Sequence, residues 1–160
     1  MKKVKIDELD IDIIKHLQQD ARVSLRELGK RLNTPHTTVF TRVERLVLLG
    51  VIKKFSAILH PPELGLQIGI ILVDAHPSHS KGIAGRLSEF EEVRNVFRTF
   101  DGKIIAEVVV SGGHEGFEDF LTKASTSYTY DICIRSYPIY EVVKFDNTIS
   151  ESGLEAIKKK

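Results

Sequence analysis

The chain lacks several features that mark secreted and membrane proteins. Cys133 is the only cysteine among its 160 residues, so no disulfide can form within the chain, which fits a reducing compartment. No apolar run approaches the roughly 18 residues of a membrane span. The basic start MKKVKIDELD is not followed by the apolar stretch of a signal peptide. We therefore expect a cytoplasmic globular protein.

Recognisable catalytic and metal-binding groupings are also missing. No Ser/His/Asp or Cys/His set stands out, so the sequence predicts no catalytic residue and no cofactor. The segment HPSH, residues 76–79, offers two histidines, which is too few for a closed zinc site, and we interpret it as a solvated turn. Cys133 alternates within a strand-like run and is expected to be a small core residue.

Charge divides the chain into two parts. The net charge is +1, but residues 1–60 carry 12 Lys/Arg and 7 Asp/Glu, whereas residues 61–160 carry 11 and 15. A basic first part (+5) and an acidic second part (−4) favour two modules, the first with an anionic partner. The segment HPPELG, with two prolines and a glycine, lies between them and is the predicted linker.

Residues 1–60 predict three short helices in helix-turn-helix order. IDELDIDIIKHLQQDA, SLRELGKRL and TPHTTVFTRVERLVLLG each place apolar residues at helical spacing behind a capping residue. Short turns join the helices, as in a trihelical DNA-binding unit. The predicted start and stop signals are Asp7 and Asp10 for the first helix, a Ser24–Glu27 capping box for the second, and Thr34, Pro35 and Gly50 for the third.

The third helix has a polar side that its own fold does not require. On a wheel of about 100° per residue its threonines and arginines fall within an arc of roughly 140°. The valines and Leu46 lie opposite, where Val39, Val43 and Val47 should face the other helices. Hydroxyls and guanidinium groups bond phosphates and base edges, so this arc predicts a DNA-facing surface. In the alternative interpretation, Arg42 and Arg45 merely pair with Glu44 and its neighbours.

The remaining hundred residues alternate strand and helix. LQIGIILVDA, VRNVFRTF, IIAEVVVS and YDICIRSYPIYEVVKF predict strands, with Pro138 marking an edge or bulge, and SKGIAGRLSEFEEV and HEGFEDFLTKAS predict helices. The order βαββαβ is that of a ferredoxin-like sandwich. Its helix-free sheet face is expected to be buried by a second copy in a two-fold dimer. TISESGLEAIKKK predicts a short helix in an inert tail with a solvated basic end.

The sequence resembles the leucine-responsive regulatory protein/AsnC (feast/famine) transcription regulators. The resemblance covers roughly residues 6–146 and rests on LDIDIIKHLQQDARVSLRELGKRL and TPHTTVFTRVERLVLLGVIKKFSAIL. It implies an α+β fold: an N-terminal winged helix-turn-helix, then a ferredoxin-like βαββαβ domain that dimerises, often assembles into octamers and binds amino acids at interfaces. The expected boundaries are 1–60 for the DNA-binding domain with its hinge strand, 61–65 for the linker, 66–146 for the effector-binding and oligomerisation domain and 147–160 for the tail.

The resemblance and the polar arc together define the expected DNA contacts. Lys53 and Lys54 precede FSAIL, which is expected to form a short strand or wing beside the DNA backbone. If Arg42 reads a base, Arg42→Ala should cost about 1–3 kcal/mol of binding and relax specificity. The predicted contacts are Ser24 on phosphate, His36, Thr37, Thr38, Thr41 and Arg42 in the major groove, and Arg45, Lys53 and Lys54 on the backbone.

The chain departs from the family pattern at two places. LNTP replaces the usual G-L-S before the third helix, where Asn33 can adopt the glycine's left-handed conformation. RTFDGK, residues 98–103, replaces the G-x-x-D loop that contacts an effector. Asp101 could bind an ammonium group there and the backbone near Gly102 a carboxylate. The candidate effector residues are Arg98, Thr99, Phe100, Asp101, Gly102 and Ser136.

The sequence leaves open two alternatives to a DNA-binding regulator. The sirohaem decarboxylases resemble the same family, and the second half offers histidines and arginines for such a site. Its net negative charge disfavours a substrate with many carboxylates. A ligand-sensing module with vestigial DNA binding is the other alternative, which the threonine and arginine arc disfavours. The enzyme candidates are His76, His79, His114, Arg98 and Arg135.

Overall fold

The computed structural model describes residues 4–126 and 132–158, which form two compact units. The first unit joins both ends of the chain, Met1–Ile58 and Asp146–Lys160, and the second is Leu59–Phe145. Among the described residues, no helix combines the length and the apolar character needed to cross a bilayer.

Three helices form the core of the first unit, as the sequence predicts. They are α1 (Glu8–Gln19), α2 (Leu25–Arg31) and α3 (His36–Leu48). One apolar side chain or more from each helix is buried in a shared cluster, which makes the packing of the three helices mutually dependent. The buried members are Ile13, Leu28, Val39, Val43 and Leu46.

The caps of α1 and α2 differ in completeness. Asp7 accepts from the backbone N–H of Asp10 at 3.0 Å, and the Asp10 carboxylate accepts from the N–H of Asp7 at 3.1 Å, which is a full capping box. Ser24 accepts from the N–H of Glu27 at 3.1 Å, as predicted. The carboxylate of Glu27 instead pairs with Arg31, with Nε 3.2 Å from Oε1. The predicted capping box at α2 is therefore only half formed.

The turn into α3 is displaced by one residue from the prediction. Pro35 is the N-cap, because its carbonyl accepts the first helical hydrogen bond from Val39 at 3.1 Å. The Thr34 hydroxyl donates backward to Leu32 O at 3.0 Å, so it does not cap the helix. Asn33 has φ 48°, which confirms the left-handed conformation expected of it, and Gly50 has φ 69° just after the helix.

No wing is formed by the segment after α3. Residues 53–60 form no helix and pair with no strand within the described part of the chain, and most of their side chains are exposed. The prediction of a paired strand or wing is wrong for the single chain, because the alternating pattern of FSAIL finds no intrachain edge to join. Phe55 and Ile58 are left 51% and 60% exposed.

The C-terminal segment packs on α1. It forms the predicted short helix, α6 (Glu151–Lys158), but the expectation that this tail is inert is wrong, because the helix packs on α1. Leu154 is 1% exposed, and Lys15 Nζ lies 2.5 Å from Glu155 Oε1. The Gln18 side chain both donates to and accepts from the backbone of Ile149. The one apolar side of α6 thus has a partner; Lys159 and Lys160 lie outside the described residues.

The second unit is a ferredoxin-like sandwich, as predicted. Its antiparallel sheet has the strand order β2-β3-β1-β4, and both helices contribute to a core on one face. Gly69 is required in β1 because a Cβ there would collide with the ring of Phe117 from α5. The elements are β1 (Gln67–Asp74), α4 (Pro77–Leu87), β2 (Val93–Arg98), β3 (Ile104–Val110), α5 (Gly113–Thr126) and β4 (Cys133–Pro138).

Several details of the second unit depart from the sequence pattern. HPSH is the start of α4, with His76 as N-cap accepting from the N–H of Ser78 at 3.4 Å, and Pro77 in the first turn. HPPELG is an ordered turn, Pro61–Leu64, with Pro61 buried, so it belongs to this unit. The predicted last strand is shorter, and its residues 130 and 131 lie outside the described residues. Cys133 is exposed, contrary to expectation, because β4 is an edge strand.

Candidate nucleic-acid interface

The helix-turn-helix geometry depends on a close contact between α2 and the start of α3. A Cβ added to Gly29 would lie 2.7 Å from the carbonyl oxygen of Thr34 and 3.3 Å from the backbone nitrogen of His36. Only glycine permits this approach. Because α2 is pressed against the turn, the first residues of α3 stand free of the core, and this end enters the groove in helix-turn-helix docking.

The exposed side of α3 carries the predicted His36 and threonines. It also carries Phe40 and Glu44, which were not among the predicted DNA contacts. The Thr41 hydroxyl donates to the backbone carbonyl of Thr37 at 3.0 Å, which leaves its methyl group and lone pairs outward. Val47, expected to face the other helices, is 42% exposed. The exposed side chains over the first three turns are His36, Thr37, Thr38, Phe40, Thr41 and Glu44.

Arg42 and Arg45 are held against the start of α1. Arg42 Nη1 bonds the carboxylate of Asp7 and lies 3.2 Å from Asp10 Oδ1. Arg45 Nη1 donates to Asp10 Oδ2 at 2.7 Å, and its Nη2 donates to the backbone carbonyl of Lys5 at 2.6 Å. Asp10 is fully buried, so the two guanidinium groups are the charges that compensate it.

The pKa values of Asp7 and Arg42 are both shifted toward the charged forms. Burial acts to raise the pKa of Asp7, but hydrogen bonds from Arg42 and from the backbone of Asp10 outweigh it and leave that pKa below its ordinary value. The hydrogen bond to Asp7 also raises the pKa of Arg42. Arg42 and Asp7 are therefore both ionised at neutral pH.

Arg42 and Arg45, predicted to contact the groove and the DNA backbone, thus bond carboxylates of α1 in the free chain while their side chains stay 30% and 38% exposed, and their contact with DNA stays a prediction. Both guanidinium groups are turned toward α1, because the buried Asp10 has to be neutralised. The alternative pairing with Glu44 is also wrong in its partner: the acceptors are Asp7 and Asp10. The wheel placed the arginines correctly on the polar side but could not show that the start of α1 lies beside that side.

A basic cleft lies beside the exposed end of α3. It has a volume of about 610 Å³ and lies at the turn between α2 and α3. Arg26 and Lys30 are exposed at its rim and make no ion pair with any residue that the structure describes. Sequence reasoning missed both, although their i, i+4 spacing on the outer side of α2 was readable. The cleft is lined by Arg26, Gly29, Lys30, Asn33, Thr34, Pro35 and His36.

Comparison with known proteins identifies the helical unit. Residues 6–47 match the AsnC-type helix-turn-helix domain. This segment, which includes nearly all of the three helices, is therefore similar to AsnC-type helix-turn-helix domains. The prediction of a resemblance to the leucine-responsive/AsnC regulators is confirmed, since the match covers α1, α2 and nearly all of α3.

Over about three fifths of its length the chain is similar to proteins named as HTH-type transcriptional regulators. An uncharacterised HTH-type transcriptional regulator of Pyrococcus horikoshii, PH0140, is 44% identical over 93 residues, which are 58% of this chain and 59% of that protein. The HTH-type transcriptional regulator FL11 of the same organism is 37% identical over 98 residues, 61% of this chain and 65% of that protein. The chain thus matches about three fifths of the length of these relatives.

Solved structures extend the likeness to both units. The crystal structure of PH0061 has a TM-score of 0.83 at 26% identity and covers 91% of this chain and 100% of its own. The Escherichia coli AsnC structure has a TM-score of 0.75 at 18% identity, covers 91% and 99% of the two chains, and shows a common fold. The predicted α+β class, an AsnC-type domain followed by a βαββαβ sheet, is confirmed.

The remaining predicted DNA contacts flank the AsnC-type domain's α3. Ser24 is exposed at the start of α2, where its oxygen already accepts from Glu27 and its O–H stays available as a donor. Lys53 and Lys54 are exposed just beyond Gly50. His36 and the threonines are brought together at one end of α3, whereas the lysines follow its other end.

The candidate effector residues are not brought together within one chain. Thr99 bonds Asp101 inside the β2–β3 turn, which lowers the pKa of the Asp101 carboxyl against the opposing effect of burial. The Gly102 N–H, expected to bind a carboxylate, already donates to Thr99 O at 3.2 Å. Ser136 lies on β4, at the opposite edge of the sheet from this turn.

The other two candidate effector residues also diverge. Arg98 turns toward α4, where its Nε and Nη2 donate to the buried Ser80 hydroxyl at 3.2 and 3.0 Å. Phe100, at the tip of the turn, is fully exposed. Among these candidates, Asp101 therefore offers an ionised carboxylate, whereas the Arg98 guanidinium group and the Gly102 N–H are already bonded within the chain.

Of the five residues considered for an enzyme, His76, His79 and Arg98 lie around the start of α4, where the two histidine ring centroids are 6.0 Å apart, whereas His114 and Arg135 lie on other elements. Arg98 reaches Ser80 on the helix side of the sheet, whereas Arg135 bonds Asp74 on strand β1. His114 lies 3.3 Å from Glu118 on α5. His114 on α5 and Arg135 on β4 are thus paired with carboxylates of their own surroundings, apart from the group at the start of α4.

Proposed function

We propose that this protein is a sequence-specific DNA-binding transcriptional regulator and not an enzyme. The observation that carries the proposal is the exposed threonine side of α3, next to the basic cleft at the α2–α3 turn. Relatives named as HTH-type transcriptional regulators support it. The similarity of residues 6–47 to the AsnC-type helix-turn-helix domain also supports a DNA-binding role.

The contacts with DNA divide into two kinds. The first turns of α3 enter the major groove, where His36, Thr37, Thr38 and Thr41 meet base edges. Arg26, Lys30 and Ser24 contact phosphate and fix the orientation, as positively charged and hydroxyl groups do in most such interfaces. In this assignment, Arg26 and Lys30 on the outer side of α2 supply the positive charge that contacts phosphate. Arg42 and Arg45 do not, because they are bonded to Asp7 and Asp10.

We propose that the second unit joins two chains. Its sheet has helices on one face only, and the other face leaves Phe97 and Tyr137 58% and 49% exposed among half-buried aliphatic side chains. A two-fold pairing of these faces would bury both and place two α3 helices on one duplex. Assembly of dimers into an octamer is the further expectation from the family resemblance.

An amino-acid effector is the remaining part of this proposal. Asp101 offers an ionised carboxylate at the β2–β3 turn, and a second chain must complete the site, because Ser136 lies at the far edge. Calorimetry with a panel of amino acids should show binding heat that changes with oligomeric state. Absence of heat with every amino acid would contradict the effector and leave the DNA-binding role untouched.

Selection from random duplexes tests the DNA-binding role. Full-length protein should enrich a pseudo-palindromic sequence with half-sites about 10–10.5 base pairs apart, or a multiple of that spacing, as dimer symmetry requires. The Arg26→Ala/Lys30→Ala double variant should bind that duplex more weakly at every sequence and reduce the salt slope by about two. Folded, dimeric protein that enriches no sequence would contradict the proposed function.

A further inference from the structure

The surface that α3 offers to a groove contains an aromatic ring but no free arginine. Phe40 is 48% exposed and lies outside the apolar core of the helical unit. Thr37, Thr41 and Glu44 fall within about 100° of it on the helix wheel. Arg42 and Arg45, the side chains suited to a bidentate bond with guanine, are held by Asp7 and Asp10.

This chemistry favours one base over the others. In the major groove thymine is distinguished by its C5-methyl group, which apolar side chains such as phenylalanine contact directly. Thr41 adds to the apolar character, because its hydroxyl hydrogen is used by the Thr37 carbonyl and its methyl group remains. A surface of one ring and several methyl groups matches thymine methyls better than guanine acceptors.

We propose that Phe40 is a specificity-determining residue that reads a thymine in each half-site through the C5-methyl group. The inference rests on the proposed function and names the base that α3 selects. Phe40 lies in the half of α3 that adjoins the basic cleft, so the positive charge that attracts phosphate places this ring at the groove. Leu48, at the other end of the same helix, is 87% exposed and has no such neighbourhood.

Uracil substitution tests the contact directly. Deoxyuridine pairs as thymidine does but lacks the methyl group, so each thymine of one selected half-site is replaced in turn and the Kd is measured by fluorescence anisotropy. For the unaltered protein, one replacement should weaken binding about fourfold, the effect of losing one buried methyl group. Phe40→Ala should bind the thymine duplex more weakly and no longer distinguish it from the uracil duplex at that position.

Two further variants separate this contact from other causes. Phe40→Leu should retain part of the discrimination, because it keeps an apolar side chain, and Leu48→Ala should keep all of it. Circular dichroism should show that each variant is folded, since Phe40 is half exposed in the structure.

Three results would overturn the inference. Discrimination that is unchanged in Phe40→Ala would leave the proposed function standing but remove Phe40 from base reading. A change in oligomeric state, without a change in discrimination, would assign Phe40 with Leu48 to a protein contact. Failure of the unaltered protein to select any duplex would overturn the proposed function and this inference together.

Discussion

Asp10 shows how a single residue decides which side chains can reach DNA. Its carboxylate is fully buried at the start of α1 and is bonded by Arg42 at 3.2 Å and Arg45 at 2.7 Å. Removing one partner of such a cluster leaves an uncompensated buried charge, which is strongly destabilising. The arginines therefore stabilise the contact of α3 with α1, and their loss should lower stability before it alters base preference.

A double-mutant cycle between Asp10→Asn and Arg42→Ala tests this role. Each single variant should lower the free energy of unfolding, and the two changes should couple by about 1–3 kcal/mol because the side chains are in direct contact. Urea denaturation gives the free energies. Glu44→Ala, a matched change on the exposed side of α3, should stay within about 0.5 kcal/mol of the unaltered protein. Additive effects of Asp10→Asn and Arg42→Ala would show that the pair has no stabilising role.

At the scale of elements, the turn between α2 and α3 positions the candidate interface. Asn33 has a positive φ of 48°, and Gly29 allows the close approach of α2 to the Thr34 carbonyl. Left-handed backbone is tolerated by asparagine and glycine and is costly for other residues. The two residues together fix where α3 begins, and thereby which of its side chains face outward.

Substitution of Asn33 checks the backbone requirement. Asn33→Ala should lower the free energy of unfolding by about 1 kcal/mol, because alanine carries the full left-handed penalty. Asn33→Gly, the matched control, should be as stable as the unaltered protein or slightly more so. Thermal or urea unfolding distinguishes them. Equal stability of the alanine and glycine variants would mean that the turn does not hold this conformation in solution.

The sequence pattern was sufficient for the elements but not for their partners. Periodicity and capping signals predicted the three helices, and strand alternation predicted the βαββαβ order. The predicted start of α3 was wrong by one residue. The Thr34 hydroxyl donates backward to the Leu32 carbonyl instead of capping the helix, and residue spacing does not show which of the two it will do. The arginine side of α3 was assigned to DNA because a helix wheel shows direction and not what lies opposite.

Long-range pairings were beyond the sequence for the same reason. The contact of α6 with α1 joins residues more than a hundred positions apart, such as Lys15 and Glu155. Nothing in TISESGLEAIKKK indicates which apolar surface its buried leucine will meet. Phe40 was left out of the predicted interface because an apolar residue on a helix is usually assigned to the core.

At the scale of the whole molecule, the two ends of the chain stabilise one unit. Leu154 is buried against the helical unit although it follows the entire βαββαβ domain in sequence. The helical unit thus includes a segment from the far end of the chain, in which α6 packs on α1. The second unit, Leu59–Phe145, is continuous in sequence. Stability of the helical unit should therefore depend on the C-terminal helix.

Leu154→Ala tests this dependence. Loss of a buried leucine should destabilise the helical unit by about 2–4 kcal/mol, so the amide hydrogens of α1 should exchange faster while those of β3 keep their protection. Ile157→Ala, a control on the same helix at a residue 39% exposed, should have a much smaller effect. Unchanged exchange of the α1 amides in Leu154→Ala would contradict the packing of α6 on α1.

The binding constant of a threonine variant tests the central claim most directly. Thr37→Ala/Thr41→Ala is compared with Thr122→Ala, an exposed threonine on α5, on the selected duplex and on a random duplex at one salt concentration. The double variant should lose about tenfold or more in affinity for the selected duplex. Its affinity for the random duplex, and both affinities of the control, should be unchanged. Full retention of specific affinity by the double variant would contradict DNA reading by the exposed side of α3.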